Sequence, residues 1–342
     1  MYQQIINEQA LDETLSIPGN GLTEMMSRLD GDIMILGING KMGVNMGQQA
    51  VNAIRAAGVN KKVFGVSRFS DAAGREKLEN SGVETIACDL LNRDEVNKLP
   101  ECKNIIFMAG RKFGTGGSED LTWAMNVLAP ALVAEKFKKS NIVAFSTGCV
   151  YPLVSALTGG CTEDVAPEPI GEYSQSCLGR ERIFSYYSRI NQTPMLLFRL
   201  NYAIDLRYGV LHDIASAIWN DQPVNNSVSH FNVLWQGDAN CYALRSLEHT
   251  ASPVTLLNIT GPETASTEYI AELFGKLMDK KVTYTGTPGE RCYLNNSGKA
   301  MSLFGYPRVA LDDMIRMQAQ WLMQGGRSLG KPTHFEVNNG KF

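Results

Sequence analysis

Four apolar residues, Ile33-Met34-Ile35-Leu36, run straight into Gly37-Ile38-Asn39-Gly40-Lys41-Met42-Gly43, and a helix-like segment to about Ala57 follows at once. An apolar run of this length, cut off by glycine, reads as a buried strand. Glycines three apart then turn the chain into a helix whose first N–H groups lack an intrahelical partner. The first glycine makes the tight turn, the second lets backbone approach a pyrophosphate, and the third lets helix pack closely on strand. Gly37, Asn39, Gly40, Lys41, Met42 and Gly43 are therefore expected to cradle phosphates at a helix N-terminus. Lys41 invites a nucleoside-triphosphate reading, but Met42 stands where that motif needs a Ser or Thr for magnesium.

Strand and helix signals alternate from there to about residue 200. Strands are expected at residues 62–67, 83–88, 104–108, 141–146 and 194–199, with helices notably at 121–138 and 175–190. Alternation of apolar strands with helices predicts an α/β fold of the Rossmann type, a doubly wound parallel sheet covered on both faces. Ligands in such sheets bind beyond the strand C-termini, near the switch in strand order. Past residue 200 the pattern loosens, with amphipathic helices at 267–278 and 311–323 among Gly/Pro/Asn-rich turns, which fits a smaller C-terminal α/β substrate lobe. The expected organisation is an N-terminal extension (1–30), a dinucleotide-binding domain (31–205), a mainly substrate-binding lobe (206–326) from which some elements return to the first domain, and a tail (327–342) that is mobile or wraps back. Ile17-Pro18-Gly19-Asn20-Gly21 marks a loop inside the extension.

A length of 342 residues, 44% hydrophobic and 20% charged, suits a globular enzyme with a sizeable core. The net charge of −3 offers no general attraction for nucleic acid or anionic membrane, so neither is expected as a partner. No apolar stretch approaches a membrane span, and the first thirty residues carry acids rather than a basic, apolar leader, so a cytoplasmic location is expected. Seven scattered cysteines without a CxxC support neither a disulfide framework nor a zinc knuckle. Four histidines (His212, His230, His249, His334) lack ligand spacing, and no metal site is expected.

Several further segments keep a common order. Asp89-Leu90 follows the third strand, and Asn126 lies in the helix after the fourth. Phe145-Ser146-Thr147-Gly148-Cys149-Val150-Tyr151-Pro152 ends the fifth strand, and Tyr173, Ser176 and Glu181 follow. With the glycine turn, this series resembles the extended short-chain dehydrogenase/reductase family, in its NAD(P)-dependent sugar epimerase/dehydratase branch, over residues 31–322. The resemblance implies that Tyr173 exchanges a proton with a sugar oxygen while hydride moves to or from a nicotinamide, and that Thr147 hydrogen-bonds the same oxygen. It also implies cofactor contacts from Asp89, Leu90, Met108, Ala109 and Gly110.

The sequence departs from the family at one decisive place. The family carries a lysine four residues after the tyrosine, which holds the ribose and lowers the phenol's pKa from its free value near about 10. Here that position is Cys177. Three accounts stand side by side. Another cation substitutes, with Arg180, Lys41, Arg111 and Lys112 as candidates. Alternatively Tyr173 works as a neutral donor. Or turnover is lost, leaving a dinucleotide-binding sensor or structural protein.

Ser67-Arg68 ends the second strand, where NAD-specific members of the family place an acid. A hydroxyl followed by a guanidinium suits a 2′-phosphate, so NADP is favoured over NAD. Arg111 and Lys112, within the segment 109–117, and Asn201 after the sixth strand are expected toward a sugar, sugar acid or nucleotide-sugar. A homodimer is expected through the helices after the fourth and fifth strands, with Phe184, Tyr186 and Tyr187 as candidate surface residues.

Overall fold

The computed structural model describes residues 5–112, 117–331 and 333–337. Six strands fall where the apolar runs predict them: β1 (Ile33–Leu36), β2 (Val63–Ser67), β3 (Glu84–Ala87), β4 (Asn104–Phe107), β5 (Asn141–Thr147) and β6 (Met195–Leu200). Four two-residue strands follow, β7 (Ala203–Ile204), β8 (Val224–Asn225), β9 (His230–Phe231) and β10 (Leu234–Trp235), and then β11 (Thr255–Ile259). The central sheet is parallel, in the order β11-β6-β5-β4-β1-β2-β3. Strand order reverses between β1 and β4, so the crevice beyond their C-terminal ends is where a ligand belongs.

Helices cover both faces. On one side α3 (Gly43–Ala57) and α4 (Ala72–Ser81) lie over Ile33, Ile35, Ile106 and Val143. On the other, α5 (Arg93–Lys98) and α7 (Ala129–Lys136) lie over Met34, Leu36, Ile105 and Ile142. Neighbouring residues of one strand thus serve opposite cores, which is why β1 is apolar throughout. The helix predicted over 121–138 is interrupted: α6 (Glu119–Trp123) passes through a widened π turn at Ala124–Leu128 before α7 begins. Asn126 sits in that turn, fully buried. Helix α8 (Gly171–Asn191) starts earlier than its apolar pattern suggests, which puts Tyr173 in its first turn. Phe184, expected on a pairing surface, is instead a core residue packed edge-on against Phe107 at 5.4 Å.

The seventh strand, β11, lies in the part of the sequence read as the second lobe, and it pairs with β6. Beside it α10 (Gln236–Arg245) packs on α3 in the sheet-side core. The lobe itself is built on α9 (Val210–Trp219), α11 (Thr267–Met278) and α13 (Leu311–Met323), whose apolar stripes share a core with Phe231 and Trp235.

The N-terminal extension forms two helices, α1 (Glu8–Leu15) and α2 (Leu22–Arg28). Asn7 caps α1 by accepting the Ala10 N–H at 2.8 Å. Leu11 and Leu15 enter the lobe's core, whereas Leu22, Met25 and Met26 enter the core beneath the sheet. The tail wraps back: Leu329 N–H donates to the Arg207 carbonyl at 3.0 Å, Thr333 N–H donates to Asp213 at 2.8 Å, and Phe335 meets Phe231. Residues 338–342 of the tail lie outside the described residues. Among the described residues, no helix is long and apolar enough to cross a membrane.

Candidate functional site

A cavity of about 900 Å³ opens beyond the C-terminal ends of β1, β4, β5 and β6. That lies within the range of about 300–1,000 Å³ usual for ligand pockets. Its wall carries eight Lys or Arg residues (Lys41, Lys77, Arg111, Lys112, Arg180, Arg207, Arg327, Lys331) against three Asp (Asp12, Asp71, Asp205). A chain of net charge −3 therefore concentrates positive charge in this cleft, as an anionic ligand requires.

The glycine turn forms one end, and its three glycines do different jobs. Gly37 has φ +90°, and a Cβ there would lie 2.7 Å from the backbone of Ala109, so it allows β1 and β4 to close together. At Gly43 a Cβ would lie 2.2 Å from the Ile38 carbonyl oxygen, so it sets the approach of α3. At Gly40 the nearest protein atom is 3.4 Å away, and that residue faces the cavity. No side chain caps α3; Gly43 N–H donates to the Gly40 carbonyl at 3.1 Å, and the N–H groups of Val44 and Asn45 that follow are available to an anion. Replacing Gly43 with Ala is expected to cost about 1–3 kcal/mol of stability by overpacking. Gly40→Ala should leave the urea midpoint unchanged and weaken only ligand binding; equal destabilisation by both would contradict this division of labour.

At the other end stand Thr147 and Tyr173, both in the cavity wall. Thr147 ends β5, its Oγ1 accepting the Cys149 N–H at 3.2 Å. Tyr173 comes from the first turn of α8, and burial holds its phenol well above the ordinary value. Cys177 is one turn further on, 1% exposed, in side-chain contact with Tyr173, and burial raises its thiol too. It supplies no positive charge.

Two cations flank the phenol. Lys112 brings its ammonium to 6.0 Å from the centre of the Tyr173 ring, and burial lowers its pKa. Arg180 lies two turns along the same face of α8 and is 5% exposed. Its Nη1 donates to the Phe145 carbonyl at 2.8 Å, Nη2 to Asn126 Oδ1 at 2.6 Å and Nε to the Asn126 carbonyl at 3.4 Å. All three acceptors are neutral, so they hold the guanidinium without cancelling its charge. Gly110 leaves room for it, since a Cβ there would lie 2.5 Å from Nη2. Asn126 in turn donates to Ser176 Oγ at 2.9 Å and accepts the Arg111 N–H at 2.9 Å, tying the π turn to α8 and to the loop after β4.

Behind Thr147 runs a buried polar network. Ser146 Oγ donates to Glu181 at 2.6 Å, and Arg199 forks onto the same carboxylate at 2.9 and 2.7 Å. Arg199 also donates to the Tyr151 hydroxyl, which donates to Asn258 Oδ1 at 2.9 Å. β5, α8, β6 and β11 are thereby locked in register.

On the lobe side Lys41 places its ammonium 3.4 Å from the centre of the Tyr208 ring. The crowding cleft walls press it down to about 7, against the opposing pull of Asp205. Tyr202 reaches the wall through a left-handed backbone, φ +46°.

Of the predicted residues, Gly37, Asn39, Gly40, Lys41, Met42, Met108, Gly110, Arg111, Lys112, Thr147, Tyr173 and Asn201 share this wall. Gly43, Ser67, Arg68, Asp89, Leu90, Ala109 and Cys177 stand outside it. Leu90 points into the core, and the Asp89 carboxylate accepts the Leu91 N–H at 3.0 Å. Arg68 is exposed and has no hydrogen-bond or ion-pair partner among the described residues. Residues 113–116 of the segment after β4 lie outside the described residues. Sequence reasoning missed Asp12, Lys77 and Arg207, which reach the wall from remote parts of the chain. Among the described residues no group of His, Cys, Asp and Glu is arranged to hold a metal ion.

No protein-family model matches the sequence, and no curated protein matches it. Solved structures do resemble the fold. UDP-glucuronic acid 4-epimerase from Bacillus cereus in complex with NAD is 20% identical, with TM-score 0.70 over 86% of this chain and 99% of that one. UDP-glucose 4-epimerase from Thermotoga maritima with UDP-glucose is 16% identical, with TM-score 0.69 over 86% and 99%. WbmG from Bordetella bronchiseptica in complex with NAD and UDP is 17% identical, with TM-score 0.71 over 89% and 99%. The chain has the fold of these proteins, as the order of its motifs predicts.

Proposed function

We propose that this protein is an NAD(P)-dependent oxidoreductase, epimerase or dehydratase acting on a nucleotide-sugar or related sugar. The carrying observation is that Thr147 and Tyr173 share one cationic cleft with an uncapped, glycine-lined helix N-terminus. The backbone at Gly40–Met42 would hold the pyrophosphate, and a bound nicotinamide would supply the hydride acceptor. Thr147 orients the reacting oxygen and Tyr173 exchanges its proton. Arg180 takes over the charge of the missing lysine, with Lys112 as a second cation 6.0 Å from the centre of the ring. Arg111, Lys112 and Asn201 face the sugar. The NAD and UDP-sugar ligands of the structural neighbours support a dinucleotide and a nucleotide-sugar here.

The preference for NADP rests on Ser67-Arg68 and on the unengaged guanidinium at that strand end. Titration calorimetry with NAD⁺, NADH, NADP⁺ and NADPH tests it. We expect the 2′-phosphorylated pair to bind more tightly and Arg68→Ala to erase the difference. Equal binding in the parent would remove the preference, and no binding at all would remove the function. The non-catalytic alternative draws its support from Cys177; it predicts tight dinucleotide binding with no turnover of UDP-glucose or UDP-glucuronic acid. Leu121, Trp123 and Leu128 on the helices after β4, with Tyr186 and Ile190 on α8, expose apolar surface that suits the expected homodimer.

A further inference from the structure

We propose that Asp12 of α1 and Lys77 of α4 form a latch that retains the dinucleotide, Asp12 being the fixed post and Lys77 the part that lets go. The proposal rests on the dinucleotide reading above and adds to it a role for the N-terminal extension.

Asp12 belongs to the cavity wall and joins three separate parts of the fold. It accepts from Lys77 Nζ at 2.9 Å, from Arg207 Nη1 at 3.0 Å and, at 3.4 Å, from the amide of Asn45 in the first turn of α3. The post is rigid. Arg207 is itself gripped by Asp205 through Nε and Nη2 at 3.3 and 3.0 Å, and Asp205 is fully buried. The end of α1 is tied to α3, where the buried Gln49 donates to the carbonyl of Ile17 at 2.9 Å and Asn52 to that of Ser16 at 3.1 Å. Leu11 and Leu15 anchor the helix in the lobe's core.

The other half, the Lys77 side chain, is lightly held. Only Gly74 and Leu78 of α4 are buried, and the Lys77 side chain is 54% exposed. Asn39 of the glycine turn donates to the Asp71 carbonyl at 3.0 Å, which pins the start of α4 over the turn. Asn39, Asp71, Gly74 and Lys77 line the same cavity as Gly40. A dinucleotide lying along the turn would have the Lys77 side chain on one side and Asp12 on the other, and would leave past them only when Lys77 lets go of Asp12. An ion pair this exposed contributes little to overall stability. Its effect falls on the rate of release.

The test is the release rate of NADPH, followed by its fluorescence on displacement with excess NADP⁺, from the full-length parent, Lys77→Gln, Asp12→Asn and the double variant. Each single change should speed release about fivefold, the most an exposed pair of this kind supports. The double variant should release no faster than Asp12→Asn alone, because Lys77→Gln removes a contact that Asp12→Asn has already lost. High salt should speed release from the parent more than from the variants, which respond only through the phosphate contacts they share with it. Lys77→Gln, a surface change, should melt with the parent. If Asp12→Asn releases no faster while Lys77→Gln does, Lys77 is a direct phosphate ligand and the latch is overturned. Binding by the parent with unchanged release in both singles overturns the latch alone. A parent that binds no dinucleotide overturns the functional reading, and the latch falls with it.

Discussion

Arg180→Gln is expected to lower turnover by about two orders of magnitude while dinucleotide still binds, and adding Cys177→Lys to it is expected to recover at least a tenth of the parent rate. The magnitude is that of removing one preorganised electrostatic group from a buried site. The argument is electrostatic. Burial holds the Tyr173 phenol in its protonated form, and Arg180 is the neighbouring charge that pulls the other way. Glutamine keeps the hydrogen-bonding character but loses the charge, so the phenol's pKa rises. The alkaline shift of the rate profile that follows is the readout a merely structural arginine would not give. Structural damage predicts a different pattern. The carbonyls of Phe145 and Asn126 would lose donors, which costs stability of about 1–3 kcal/mol each when nothing replaces them. A lysine at 177 could not repair those bonds, since it would approach from one turn nearer the phenol. Recovery by Cys177→Lys would therefore identify charge as the quantity Arg180 supplies. Turnover of UDP-glucose or UDP-glucuronic acid, read from the loss of substrate and appearance of sugar product, decides the matter. An active Arg180→Gln with an unshifted profile would assign the work to Lys112 or to a neutral phenol.

The same residues explain what could be read from the sequence. Most of the sheet strands carry at least three consecutive apolar residues, so local pattern suffices for them, although β3 includes Glu84 and Thr85 and β6 includes Arg199. The helices at Thr267–Met278 and Leu311–Met323 end where their apolar stripes end, and Ser266 caps the first by accepting the Tyr269 N–H at 3.3 Å. β11 escaped because Asn258 breaks its apolar run. That asparagine is fully buried, and its neighbours in the network come from parts of the chain about a hundred residues away. α1 was invisible for a different reason: eight residues carry too few apolar positions to establish a period, and Leu11 and Leu15 find their partners in the distant lobe. In the site, Thr147 and Tyr173 were legible because a motif fixes their spacing. Arg180 was legible as a candidate cation, but its part depends on Gly110 being small and on Asn126 sitting in a π turn, neither of which local pattern reveals. The Asp12 contacts span 65 and 195 residues and leave no local trace at all.

Arg199→Met should destabilise the protein by about 3–5 kcal/mol, the usual consequence of stripping one partner from a buried ion pair. Arg199 and Glu181 are 3% and 2% exposed, so the abandoned carboxylate would have neither water nor a counter-charge. Ser146 alone would still donate to it. Glu181→Leu combined with Arg199→Met should cost less than Arg199→Met alone, because no unpaired charge remains buried. It should not be neutral, since Ser146 loses its acceptor and Tyr151 loses a donor. Urea unfolding of the single and double variants measures both quantities. The comparison bears on chemistry as well as stability, for Glu181 sits on α8 eight residues past Tyr173, and Ser146 immediately precedes Thr147. If the ion pair holds β5 and α8 in register, the double variant will fold and bind dinucleotide yet turn over slowly, because the two hydroxyls no longer converge. A double variant less stable than Arg199→Met would mean that the pair's attraction outweighs its desolvation, and that this network is a source of stability as well as of alignment.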